Sequence, residues 1–177
     1  MAIMAALQQI DVALFDKVFH LGREYKAMTK GAITLSRSGD GYLQVLTPAV
    51  VWLSGSVLAP TYAVALAAAM LMERLVYYIM KNTLKRLRPC DFKKNLKSLI
   101  AASDKFSFPS GHTSAAFCFS TITILTFGGA FAAMFVWASL VGASRVIIGV
   151  HYPGDIVAGA VMGSGIAVAT ASVLNIW

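Results

Sequence analysis

From residue 42 onward the chain alternates between apolar runs and short polar breaks. The runs cover residues 42–55, about Pro60 to Met80, and about 110–127, 130–150 and 154–176. An α-helix needs roughly 20 apolar residues to cross a bilayer, so 42–55 is short for a full span and the others suffice. Gly31–Ser36 would lengthen the first run backwards, and Pro48 can kink it, which a membrane bundle tolerates. The breaks at Ser54-Gly55-Ser56, Gly128-Gly129 and Tyr152-Pro153-Gly154 are turn sequences. Five spans follow. A sixth would have to come from residues 24–41, whose charges and Arg37-Ser38-Gly39-Asp40-Gly41 break oppose it.

Before these runs, Leu7, Ile10, Leu14, Phe15 and Phe19 recur at helical spacing, with Gln8, Asp11, Asp16 and Lys17 between them. That pattern predicts an amphipathic helix over residues 1–23, lying at the membrane surface or packed on the bundle. Acidic Asp11 and Asp16 and the missing basic leader argue against a cleaved signal peptide. The predicted fold is all-α: an integral-membrane helical bundle with five to six transmembrane helices plus the N-terminal amphipathic helix, as one domain over residues 1–177. Small residues in the last span, from Gly154 through Ala158, Gly159, Ala160 and Gly163 to Gly165, suit close helix packing in lipid.

Composition agrees with this pattern and excludes a soluble domain. Hydrophobic residues make up 58% of the 177 positions and charged residues only 13%. The formal net charge of +7 admits nucleic acid, anionic lipid or a phosphate-bearing substrate as partners. A chain otherwise built for lipid excludes nucleic acid and leaves the bilayer and a phosphorylated membrane lipid. Eight of the fifteen Lys and Arg fall in one stretch: Lys81, Lys85, Arg86, Arg88, Lys93, Lys94, Lys97 and Lys105. They mark residues 81–108 as a basic loop at the candidate active site. The two cysteines, Cys90 and Cys118, have no metal-ligand spacing and fall in unlike environments, so neither a zinc site nor a disulfide is expected.

Three polar clusters stand at the ends of spans, where ionisable groups are costly without a purpose. Lys81 with Arg88 and Pro89 follows the Pro60–Met80 span. Pro109-Ser110-Gly111-His112 opens the next. Ser144-Arg145, His151 and Asp155 close the fourth span and open the fifth. Because successive spans alternate in direction, all three clusters reach one face of the bundle. Lys81, Arg88 and Arg145 there offer three cations to phosphate oxygens. Ser110 and Gly111 begin a helix, whose N–H groups favour an anion. His151 and Asp155 are four residues apart, one turn if helical, so the carboxylate can fix the tautomer of a nucleophilic imidazole. His112 is placed to protonate a leaving oxygen. With this much positive charge the chemistry calls for neither metal nor other cofactor. His20, alone in the N-terminal helix, receives no role.

The pattern K-x6-RP, PSGH, SR-x5-H-x3-D resembles the three-part signature of the type 2 phosphatidic acid phosphatase superfamily. It is met at Lys81, Arg88, Pro89, Pro109, Ser110, Gly111, His112, Ser144, Arg145, His151 and Asp155. The resemblance implies a metal-independent lipid phosphatase. Lys81, Arg88, Ser110, Gly111 and Arg145 would bind phosphate, His151 would become phosphohistidine, Asp155 would orient it, and His112 would serve as acid. Undecaprenyl diphosphate, phosphatidic acid, phosphatidylglycerophosphate and lipid A are the implied substrates. In size and N-terminal helix the chain is similar to small bacterial undecaprenyl-diphosphate and lipid A phosphatases, and it is expected to lack the leading span and long cap of larger members. A soluble vanadium haloperoxidase is excluded by the hydropathy. A lipid-to-lipid phosphotransferase shares the phosphohistidine, and a non-catalytic lipid-binding protein would be expected to lack His112 or His151.

Sidedness draws two opposed expectations. Five spans put Lys17, Arg23, Lys26, Lys30, Arg37 and the 81–105 cluster on the face of the site, while the turns near Ser56 and Gly128 and the end Asn175-Ile176-Trp177 carry no Lys or Arg. The positive-inside rule then puts the site in the cytoplasm. The family resemblance implies a cell-membrane, multi-pass protein with its site on the extracytoplasmic face.

Overall fold

The computed structural model describes residues 2–92, 96–102 and 104–176, with side chains from residue 8 onward. Lys93, Lys94, Trp177 and the side chain of Leu7 lie outside the described residues. The elements run α1 (Ala2–Glu24), α2 (Lys26–Ser38), α3 (Tyr42–Leu53), α4 (Ala59–Leu84), α5 (Pro89–Phe92), α6 (Gly111–Phe127), a 3-10 turn (Gly129–Phe131), α7 (Ala133–Ile147) and α8 (Pro153–Val173). Among the described residues there is no strand, only one bridge pairing Leu87 with Phe106.

Among the described residues, three helices are long and apolar enough to cross a membrane: Ala59–Leu84, Gly129–Ile147 and Pro153–Val173. The α6 helix, at 17 residues, lies inside the bundle, packed on α4, α7 and α8. Several of its hydroxyls find partners there. Thr123 Oγ1 pairs with Tyr62 at 3.0 Å, Ser120 donates to Met134 O, and Thr121 lies 3.3 Å from Ser164. Around them Tyr62, Leu66, Phe119, Ile122, Ala167 and Ala171 form the main apolar core.

The run at 42–55 does not extend back through Gly31–Ser36. Gly39-Asp40-Gly41, with Gly41 at φ 104°, separates α2 from the 12-residue α3. The first run is therefore two helices meeting at a corner, and α2 packs along α7. The α1 helix has two apolar faces. Phe15 and Phe19 are buried with Val146 and Tyr152, whereas Ile10, Leu14 and Leu21 are about half exposed. It is thus docked on the bundle and still offers an apolar ridge outward, which joins the two sequence-based alternatives.

The α6–α8 contact is unusually close. A Cβ at Gly163 would lie 2.1 Å from Ser114 O, and one at Gly159 2.7 Å from Ser110 O. Only glycine lets the two backbones approach so nearly. The basic loop is closed near its ends, where Ser107 N donates to Arg86 O (2.8 Å), and pinned in between, where Leu99 N donates to Ile148 O (2.9 Å).

Candidate active site

The three sequence clusters meet at one end of the bundle. Arg88, Gly111, His112, Arg145 and His151 line a cavity of about 460 Å3, with Asp40, Arg74, Tyr77 and Asp104. Lys81 joins them through Asp104. Lys81, Arg88, Arg145 and His151 are all nearly inaccessible, at 4%, 2%, 3% and 2% exposure. Buried cations at this density are costly without counter-anions.

Asp104, in the loop before α6, is the carboxylate in direct contact with two of them. Its Oδ1 accepts from Arg88 Nη2 (2.5 Å) and lies 3.0 Å from Lys81 Nζ, and its Oδ2 accepts from Tyr77 OH (2.5 Å). Burial pushes this carboxyl up, but the hydrogen bonds from Tyr77, Arg88 and Lys81 outweigh it and hold it down at about 2. Arg88 also donates to Val150 O (2.6 Å), which fixes its fork between loop and helix ends. Arg145, from the last turn of α7, donates to Ser36 Oγ on α2 (2.5 Å), while its buried Nε has no hydrogen-bond partner.

His151 sits in the turn before α8. Its Nδ1 lies 3.4 Å from Asp155 Oδ2, a long contact that falls short of hydrogen-bond geometry. Burial, the larger influence, pushes the imidazole down to about 4 against the pull of Asp155, so the ring is neutral near pH 7. The sequence spacing suggested one helical turn between the two. The α8 helix instead begins at Pro153, and Asp155 reaches back as a cap, its Oδ2 accepting from Tyr152 N (2.9 Å). The proximity therefore comes from capping geometry at a helix start, not from a shared helix face.

Ser110 also departs from expectation. It caps α6, but its N–H donates to Asp155 O (3.0 Å) and its hydroxyl accepts from Thr113 Oγ1 (2.9 Å). Its N–H is already committed to joining α6 to α8. Gly111, which lines the cavity, is the first residue of the helix proper, where N–H groups lack intrahelical partners. His112 Nε2 lies 2.8 Å from Asp40 Oδ1 across the α2–α3 corner.

Sequence reading missed four participants: Asp104, Arg86, Asp11 and Tyr77. Asp104 carried one signal, being the sole acidic residue between Asp91 and Asp155. Arg86 was counted only among the loop's cations, yet it bonds Asp155 Oδ1 (2.7 Å) and Asp11 Oδ2 (2.5 Å). Burial opposes its charge, but Asp155 and Asp11 outweigh burial and raise its pKa. Among the described residues no three His, Cys, Asp or Glu side chains converge as metal ligands.

A family model described as the PAP2 superfamily matches residues 62–176, a stretch holding every residue of the three clusters. The chain belongs to the PAP2 superfamily. It is a membrane-embedded PAP2 enzyme of the lipid phosphatase class. The bacitracin transport permease protein BcrC of Bacillus licheniformis is 27% identical over 158 residues, covering 89% of this chain and 77% of that protein. A lipid A 4'-phosphatase of Bacteroides thetaiotaomicron is 29% identical, covering 58% of this chain and 49% of that protein. A lipid A 1-phosphatase of Rhizobium johnstonii is 31% identical, covering 56% and 42%. The chain thus spans about half or less of the two lipid A phosphatases. Among PAP2 structures, LpxE of Aquifex aeolicus superposes with TM-score 0.77 at 22% identity, over 90% of this chain and 93% of that one. A transmembrane PAP2-type phosphatidylglycerolphosphate phosphatase of Bacillus subtilis gives 0.75 at 20%, over 95% and 86%. At these identities the likeness establishes the fold.

Proposed function

We propose that residues 1–177 act as one unit that hydrolyses a phosphate ester or diphosphate at the headgroup of a membrane lipid, through a phosphohistidine on His151. The observation that carries this reading is the cavity shared by Arg88, Arg145 and His151, with Arg145 Nε buried and unpaired. Such a lining suits an anion with several oxygens, and a phosphoryl group is one. Lys81, Arg88, Arg145 and the Gly111 end of α6 bind that group, and Ser110 holds the helix end in place.

In the first step His151 Nε2 attacks phosphorus. The bond to the leaving oxygen breaks, and His112 gives that oxygen its proton. Asp155 faces Nδ1 and holds the N–H of the imidazole as positive charge develops on it. In the second step water attacks phosphorus and gives its proton to His112. The N–P bond breaks, its electron pair returns to Nε2, and inorganic phosphate leaves. The cations stabilise the charge on the equatorial oxygens, so no metal is required.

The substrate class is a lipid whose phosphate stands at the membrane surface: undecaprenyl diphosphate, phosphatidic acid, phosphatidylglycerophosphate or lipid A. Two relatives carry the name lipid A phosphatase, which supports an ester of this kind. The test is a panel of these four lipids with purified protein in EDTA, with acid-labile phosphate trapped on the protein. Release from at least one lipid, with label on His151, is expected. Activity abolished by EDTA and restored by magnesium would overturn the mechanism.

A further inference from the structure

The carboxylate that orients His151 is itself gripped from outside the signature. Asp155 is fully buried, and each of its oxygens is committed. Oδ2 takes the Tyr152 N–H and faces His151, while Oδ1 takes Arg86 Nη1 at 2.7 Å. Arg86 follows the end of α4, and its guanidinium lies 4.2 Å from the centre of the Tyr152 ring. Its second nitrogen donates to Asp11 Oδ2 (2.5 Å) and to Gln8 Oε1 (3.2 Å), both on α1. Asp11 Oδ1 in turn accepts from Gly154 N (2.7 Å) at the start of α8. Arg86 is 19% exposed and Asp11 12%. Charges therefore alternate from α1 toward the nucleophile through Asp11, Arg86 and Asp155, and the line ends at the His151 imidazole.

We infer that Arg86 is a positioning residue for the Asp155–His151 pair, and that Asp11 of the N-terminal helix anchors it. A carboxylate held only through Oδ2 is free to turn about its Cβ–Cγ bond. The Arg86 bond at Oδ1 removes that freedom and supplies the buried counter-charge a carboxylate needs when its imidazole is neutral. Asp11 then offsets the charge of Arg86 and fixes its fork against the first turn of α8. Asp11 lies outside the family match, which begins at residue 62. The N-terminal helix thus contributes to chemistry without reaching the phosphate cavity.

This rests on His151 being the nucleophile, and the experiment separates the two ideas. Full-length protein is assayed with an aryl phosphate. Misplacing a catalytic group by an ångström costs about 100-fold, so Arg86→Ala should lower kcat by about that factor. KM should stay nearly unchanged, because Arg86 does not line the phosphate cavity. Added guanidinium should recover part of kcat, and Arg86→Lys should fall between. In an Asp155→Asn background, Arg86→Ala should cost little more. Asp11→Asn should give a smaller kcat loss, again with KM held.

A wild-type kcat in Arg86→Ala overturns the inference. So does a KM rise in place of a kcat loss, or a full additional loss in the Asp155→Asn background. If Arg86→Ala fails to fold, Arg86→Lys and Asp11→Asn decide the matter by the same split between kcat and KM. His151→Ala with normal turnover would remove the nucleophile reading itself. An inactive His151→Ala beside an unaffected Arg86→Ala removes only the present inference.

Discussion

Asp104 contacts Lys81 and Arg88, the cations proposed to hold the substrate oxygens, so Asp104→Asn is the informative change at the cradle. The carboxyl is held at about 2 against an ordinary value of 3.8. Each pKa unit corresponds to about 1.4 kcal/mol. The side chain is 34% exposed, and solvent screening reduces the interaction to about 1 kcal/mol. In the proposed mechanism an incoming phosphoryl group must overcome that amount to take over Lys81 and Arg88. Asparagine keeps the shape and an acceptor but gives up the charge. Vanadate inhibition of the aryl phosphatase activity should therefore tighten by about fivefold, the equivalent of ~1 kcal/mol. KM should fall in parallel. The same interaction stabilises the fold, with a definite sign. Because the folded value is depressed, the contribution is present above pH 3.8 and lost as pH falls toward 2. The variant should unfold more readily near neutral pH, and the gap should close across that acidic window. Vanadate inhibition unchanged or weakened in Asp104→Asn would show that the carboxylate does not compete with substrate.

Three further outcomes are expected. His151→Ala should abolish turnover of every substrate, whereas His112→Ala should retain more activity toward nitrophenyl phosphate, whose leaving group needs no proton, than toward a lipid ester; equal losses on both would refute the acid role. Gly163→Ala places a methyl 2.1 Å from Ser114 O, and such overpacking costs about 1–3 kcal/mol, so the thermal unfolding midpoint in detergent should drop; an unchanged midpoint would mean the helices separate freely. Cys90 is partly exposed in the basic loop and Cys118 is buried, so an impermeant maleimide should label Cys90 on intact cells if the site faces outward; labelling only after the membrane is opened would place the site inside, as the charge distribution suggests.

The clusters at Lys81–Arg88, Ser110–His112 and Arg145–Asp155 were legible because they depend on period and direction. Apolar runs alternate in sense, so motifs at alternate ends share a face. What could not be read depends on closure of irregular chain. Asp104 meets Lys81 and Arg88, and Asp11 meets Arg86 75 residues away, through loop and interfacial segments with no repeating pattern. The start of α8 was blurred because Tyr152-Pro153-Gly154 is equally compatible with a turn and a helix opening, and only the cap formed by Asp155 decides between them. The α2–α3 corner was hidden by apolar character on both sides of Gly39-Asp40-Gly41.

The glycine seam between α6 and α8 divides the site mechanically. With Gly159 and Gly163 backed onto α6 main chain, and Ser110 N bonded to Asp155 O, the stretch from Gly111 to Cys118 and the start of α8 form one stiff block. The end of α6 that bears His112 and the carboxylate behind His151 cannot drift apart without opening that seam. The opposite wall is of another kind. Asp104 belongs to an irregular loop, and Asp40 to a three-residue corner between separate helices. In the proposed function, breathing that admits a headgroup falls to this softer wall. Headgroups of different bulk would then be accommodated from one side while the atoms proposed to react keep their alignment on the other.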